Sequence, residues 1–242
     1  MLIMKNIFLL AAFALAGLLS FAQDTKVIND KNAQKRSVQG FHGISVGGGI
    51  DLYLSQGGEE AVAVSASDPE VRDKIRTEVE NGVLHIYLEN KGFHWNMGNK
   101  KLRAYVSCKV IDLLDASGGS DVYIENALKS DKLNMALSGG SDLHGKMNVG
   151  ELAVTQSGGS DSYLSGSVSR LTVHASGGSD FHGYDLPADD CRIEASGGSD
   201  VYLVVNKALD ANASGGSDIH YKGPVTGVIS HSSGGGDISR KQ

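Results

Sequence analysis

Proline is scarce, three residues in 242, and cysteine scarcer, with Cys108 and Cys191 the whole complement. So few prolines exclude a polyproline stalk, and two cysteines exclude a disulfide-dense scaffold. No cluster of Lys and Arg interrupts a formal charge of −6. Without a basic track to follow a phosphate backbone, nucleic acid is not an expected partner. Also missing are a G-x-S-x-G elbow, an HExxH pair and a phosphate-binding loop. After the first 22 residues no stretch approaches the roughly 18 apolar residues of a membrane helix, so no transmembrane segment is expected once a leader is removed.

That leader is the opening "MLIMKNIFLLAAFALAGLLSFAQDT". Lys5 precedes an apolar run from Ile7 to Leu19 and the small-x-small end Ser20-Phe21-Ala22, the pattern of a signal peptide cut after Ala22. The protein is expected to be exported, to the periplasm, the outer-membrane surface or the medium. No Cys stands near the cut, which argues against a lipid anchor. Residues 23–38, polar and without period, read as a flexible linker.

Glycine is abundant, with 32 residues, and it recurs in order. "SGGSD" begins at 117, 138, 157, 176, 196 and 214, and "SGGGD" at 233, so the steps are 21, 19, 19, 20, 18 and 19 residues. Aligned on the first Ser, the flanks become columns. Leu133, Leu152, Leu171, Cys191, Leu209 and Val228 stand five residues before it, and Leu114, Met135, Val154, Val173, Ile193 and Ala211 three before it. Polar residues separate them, the period-two pattern of a strand with one buried face. After each Asp the alternation resumes with Val122, Leu143, Phe181, Val201, Ile219 and Ile238, Ser162 being the exception. Two short strands per coil cannot bury a core alone, so the coils must stack. The expected fold is an all-β parallel β-helix of about 19-residue coils spaced about 4.8 Å apart.

The repeat places the cysteines four coils, roughly 19 Å, apart. A disulfide needs α-carbons within about 7 Å, so two free thiols are expected. Residues 39–110 follow the same grammar loosely. "ISVGGGIDLYL" reads as a corner and the first rung, three further segments read as strands, and "DPEVRDKI" reads as one short helix with Asp68 as N-cap and Pro69 first. This part is expected to cap the rod. One β-helix domain over 39–238 results, with irregular rungs and cap over 39–110, coils over 111–238 and a tail over 239–242.

The leader, "FHGISVGGGIDLYLSQG", "TEVENGVLHIYLEN" and the Gly-Gly-Ser-Asp coils together resemble the bacterial family described as putative auto-transporter adhesin, head GIN domain. The resemblance spans about residues 38–238. It implies a right-handed parallel β-helix exported to the cell envelope and carries no catalytic residues with it. After the coils only "DISRKQ" remains, so the chain is not itself expected to be an autotransporter.

Three chemistries deserve weighing. Gly-rich, Asp-bearing repeats suggest calcium, with Asp121, Asp142, Asp161, Asp180, Asp200 and Asp218, flanked by Asp51 and Asp237, as ligands. The calcium β-roll, however, repeats Gly-Gly-x-Gly-x-Asp every nine residues. The competing reading is mechanical: glycine supplies backbone angles closed to other residues, while Ser and Asp cap the turn. No cofactor is expected on this account, and cation binding stays the alternative. Two residues after the Asp stand Tyr53, Tyr123, His144, Tyr163, His182, Tyr202 and His220, an outward file suited to stacking on sugar rings or docking a protein. The competing reading is cross-strand support for the sheet. The histidines stand two coils apart and cannot share one metal ion. Catalysis is not expected, because a triad needs one unique desolvated constellation. Trp95, in "KGFHWNMGNKK", is the candidate contact outside the repeat. The expected function is adhesion or an interaction scaffold, with a glycan or an envelope or extracellular protein as partner. A purely structural envelope protein is the alternative, and a polysaccharide-processing enzyme a more distant one.

Overall fold

The corner decides the coil. In the computed structural model, which describes residues 30–89 and 101–242, the first glycine of all seven copies has a positive φ, from 64° at Gly118 to 78° at Gly177. Only glycine adopts that conformation without strain. Space demands it as well, since a Cβ on Gly197 would stand 2.8 Å from the Gly177 carbonyl oxygen of the preceding coil. The second serine of the motif turns inward, and Ser120, Ser141, Ser160, Ser179, Ser199 and Ser217 are fully buried. Their hydroxyls serve the backbone of the turn. Ser199 Oγ lies 2.9 Å from Ser196 O and accepts from Ser196 N–H at 3.2 Å.

Among the described residues, seventeen strands and one helix follow in chain order: β1 (Gln34–Arg36), β2 (Gly43–Gly47), β3 (Ile50–Gln56), β4 (Ala61–Ser65), α1 (Pro69–Arg72), β5 (Ile75–Glu80), β6 (Val83–Leu88), β7 (Leu102–Cys108), β8 (Leu113–Ser117), β9 (Val122–Ile124), β10 (Leu128–Ser138), β11 (Leu143–Ser157), β12 (Ser162–Ala175), β13 (Phe181–Ala195), β14 (Asp200–Ala213), β15 (Asp218–Lys222), β16 (Gly227–Ser232) and β17 (Asp237–Arg240). From β8 onward each coil pairs in parallel with the next, and like residues meet. Leu133 faces Leu152, then Leu171, Cys191, Leu209 and Val228. The fold is a parallel β-solenoid of about seven turns with ~19-residue coils.

The inward columns make one continuous apolar core from Phe41 to Val225. Ser162, the exception in its column, is explained by another. Gln156 stands in register with Leu137 and Ala175, is fully buried, and accepts from the Ser162 hydroxyl at 3.0 Å. Its amide nitrogen donates to Ser160 O and Asp180 O at 2.9 and 3.1 Å. Two polar intruders thus satisfy each other inside the core, as burial requires.

The N-terminal part departs from chain order. β2 lies between β6 and β8, and β3 between β7 and β9, all parallel. The chain therefore lays down one rung, leaves to build β4 through β7 on its outer side, and returns to continue the rod. At that end the pairing reverses, with β4 antiparallel to β7, β1 to β4 and β5 to β6. Asp68 caps α1 by accepting the Glu70 N–H at 2.9 Å.

Two boundaries change. Within the segment read as a linker, residues 34–36 pair with Val62–Val64 as β1, because the outermost cap strand offers an unpaired edge. The tail is not loose either: β17 runs to Arg240, and Lys241 N–H donates to Tyr221 O at 2.9 Å. The expected signal peptide and the first part of the expected linker, together residues 1–29, lie outside the described residues. Cys108 and Cys191 are both free and buried. Burial pushes their thiols up to about 11 and about 12 respectively.

Candidate functional site

Two files of side chains stand side by side on the outer face of the sheet that follows each corner. The first is the acid file, and its like charges are offset by a task. Asp121 Oδ1 accepts the N–H of Asp142 at 3.2 Å, Asp142 that of Asp161 at 3.2 Å, Asp161 that of Asp180 at 3.0 Å and Asp180 that of Asp200 at 3.0 Å. In return the carbonyls of Asp142 and Asp161 accept from Val122 and Leu143 one coil back. Each carboxylate completes the ladder where the turn interrupts it. Arg103 stands in register with Asp51 and ends the file with a positive charge.

Burial is the main cause that raises the carboxyls of Asp51 and Asp161 above their ordinary value. Neighbouring acids add to it, Asp121 for Asp51, and Asp180 and Asp142 for Asp161. The calcium alternative meets this geometry directly, since one oxygen of each of four file members already holds an amide. Among the described residues, no three His, Cys, Asp or Glu side chains are grouped to hold a metal ion.

The second file is aromatic. Tyr53, Tyr123, His144, Tyr163, His182, Tyr202 and His220 are brought into one unbroken column, with neighbouring centroids 4.4–5.6 Å apart. From Tyr123 to Tyr202 the planes lie within 2–9° of parallel. At the far end His220 tilts by 46° and bonds Ser239 Oγ through Nδ1 at 2.9 Å. Burial, followed by the charges of the adjacent acids, raises the phenols of Tyr123, Tyr163 and Tyr202.

One expectation is corrected here. Rings stacked on one another at these distances cover their own faces, so a sugar cannot lie flat on Tyr123, Tyr163 or Tyr202. The column shows its edges and polar tips instead. Six of the seven rings are half-buried, and Tyr163 is 41% exposed.

The file is also longer than the repeat suggests. Tyr105 stacks on Tyr53 at 5.3 Å and donates to Asp30 Oδ2 at 2.9 Å, which makes eight rings. No Gly-Gly corner precedes β7 to reveal its register, although "LRAYVSC" alternates like β3. Tyr184 packs edge-on against Tyr202, with Lys222 Nζ 4.7 Å from its ring centre. The strands that precede each corner carry a different outer surface, laced with ion pairs such as Arg170–Glu151 and Arg192–Glu194. Such pairs belong to a solvated face. Trp95 lies outside the described residues.

Comparison with known proteins gives the same architecture. The family model described as putative auto-transporter adhesin, head GIN domain, matches residues 40–224. A solved structure called a putative adhesin, from Bacteroides fragilis, superposes with a TM-score of 0.73 at 20% identity, covering 86% of this chain and 96% of that one. A second putative adhesin, from Parabacteroides merdae, gives 0.68 at 18% identity over 87% and 95%. A protein from Parabacteroides distasonis described as a putative lipid binding protein gives 0.64 at 22% over 88% and 98%. At these identities the likeness is one of fold. No curated protein matches the chain.

Proposed function

From the premise that the chain belongs to the family described as putative auto-transporter adhesin, head GIN domain, we propose that it is an exported, non-catalytic adhesin whose contact surface is the ring file from Tyr105 to His220. One observation carries this reading: eight aromatic side chains, kept in register over successive coils, turn a continuous row of polar tips outward. From Tyr123 onward phenol hydroxyls and imidazole nitrogens alternate along it, beside a parallel row of carboxylates. That surface suits an extended ligand rich in hydroxyl groups and lying along the rod. A glycan chain fits this description first, and a protein of the envelope or the host matrix second. Among the described residues no helix is long and apolar enough to cross a membrane.

The same stacking favours a second reading, in which the file only holds the coils together. Aromatic pairs are worth about 0.5–1.5 kcal/mol each beyond their burial, so the column would stabilise the rod without any ligand. A glycan-array and matrix-protein binding screen separates the two. The triple variant Tyr123→Ser, Tyr163→Ser, Tyr202→Ser is expected to keep its β-sheet circular dichroism and lose at least about tenfold in affinity, the cost of roughly 1.4 kcal/mol. Wild-type binding that the variant retains in full would leave the file a purely structural device.

A further inference from the structure

The two ends of the rod are built differently. At the N-terminal end the outermost strands are β1, three residues reading Gln-Lys-Arg, and β5, whose Arg76, Glu78 and Glu80 alternate along it. Short or charged edges of this kind resist pairing with another chain. At the other end β16 pairs only with β14, and β17 only with β15. β16 is exposed throughout, with Val228 41% and Ile229 61% accessible. Its length and apolar content make it a template for a further strand.

We propose that this C-terminal rung is the seat of a second copy of the chain, joined edge to edge about a two-fold axis. The seat for a head-to-tail stack is missing, because the N-terminal end presents antiparallel strands where a parallel rung would have to dock. A two-fold joint needs only that the edge complement itself, and β17 does. Asp237 and Lys241 donate their N–H groups back to Ser217 and Tyr221, so by alternation Ile238 and Arg240 present theirs to the free edge.

Antiparallel self-pairing centred on Ser239 then sets Ile238 against Arg240 of the other copy in both directions, with four backbone hydrogen bonds. On the outer face the same register puts Asp237 against Lys241 twice, two opposite-charge cross-strand pairs. Both side chains are exposed and free to reach. The joint also covers Val228 and Ile229, and it brings the two ring files end to end across Ser239. This proposal is independent of what the ring file binds.

Light scattering after size exclusion on the chain without its leader tests it. The wild type is expected at the mass of two chains at micromolar concentration. Lys241→Glu places like charges opposite Asp237 in both pairs and is expected to weaken self-association about tenfold or more. Asp237→Lys combined with Lys241→Glu restores opposite signs and is expected to restore the pair of chains. Arg240→Pro removes a free-edge N–H that makes no bond within the chain and is expected to run as one chain. Cooperative melting of each variant shows that the fold is kept, and if the proline variant fails to fold, the two charge variants decide. A wild type that runs as one chain overturns the proposal. So does a pair of chains that survives Lys241→Glu unchanged, or a charge swap that fails to restore one.

Discussion

At the scale of single residues, the acid file shows how a like-charge column is tolerated. Asp161 gives up solvation and stands beside Asp142 and Asp180, yet its Oδ1 holds the Asp180 amide at 3.0 Å. These effects can be separated. Its carboxyl sits above the ordinary value of 3.8, so the folded state binds the proton more tightly than the unfolded state. Stability from this group therefore falls as pH rises from about 3.8 through the raised value, and the penalty is fully present at neutral pH. Asp161→Asn keeps an oxygen for the amide and removes the charge, so its melting temperature is expected to exceed wild type at pH 7, with the gain vanishing near pH 3. Asp161→Ala removes the acceptor and is expected to lose about 0.5–1.5 kcal/mol in urea denaturation. If Asn and Ala behaved alike, the amide bond would not be the reason for the column.

At the scale of the coil, the two glycines of one corner have different duties. Gly177 has φ +78°, and a Cβ there would stand 3.0 Å from Gly158 N; Gly178 lies outside the left-handed region with nothing within 4 Å. Gly177→Ala is expected to cost about 1–2 kcal/mol, whereas Gly178→Ala is expected to be neutral or stabilising by up to about 1 kcal/mol. Chemical denaturation of the two variants in parallel checks the contrast. The Gln156–Ser162 pair makes a second test. Gln156→Leu alone strands both the buried Ser162 hydroxyl and the Ser160 carbonyl and is expected to cost about 1–3 kcal/mol, while the double change with Ser162→Val recovers only the hydroxyl's share. Ser162 stood out in the sequence as a break in its column. Its partner, six residues earlier and in register with Leu137 and Ala175, did not.

For the whole molecule, a solenoid is held by nearest-neighbour interfaces, so its ends need not unfold together with its middle. Cys191 sits in the second coil back from the open C-terminal rung, and Cys108 lies where β7 meets the cap. Burial lifts both thiols far above neutral pH, so neither reacts until its coil opens. In dilute solution Cys191 is expected to be alkylated at lower urea than Cys108, as read by mass spectrometry of the labelled peptides. Simultaneous labelling would mean that the rod opens as one unit.

The sequence by itself determined the coil: its length, its glycine corner, which side chains point inward and which form the acid and ring files. It could do so because period-two alternation and positive-φ turns are local properties, repeated often enough to be read from one chain. What the tertiary structure alone decided is who touches whom between coils. The carboxylates spend an oxygen on the next coil's amide, the rings cover one another rather than facing solvent, and Tyr105 and Arg103 join files that no corner announces. The return of the chain to build a cap outside its own first rung belongs to the same class. These depend on segments as far as 70 residues apart, such as Gly43 and Leu113, meeting at the spacing of a β-ladder, and no local pattern encodes that meeting.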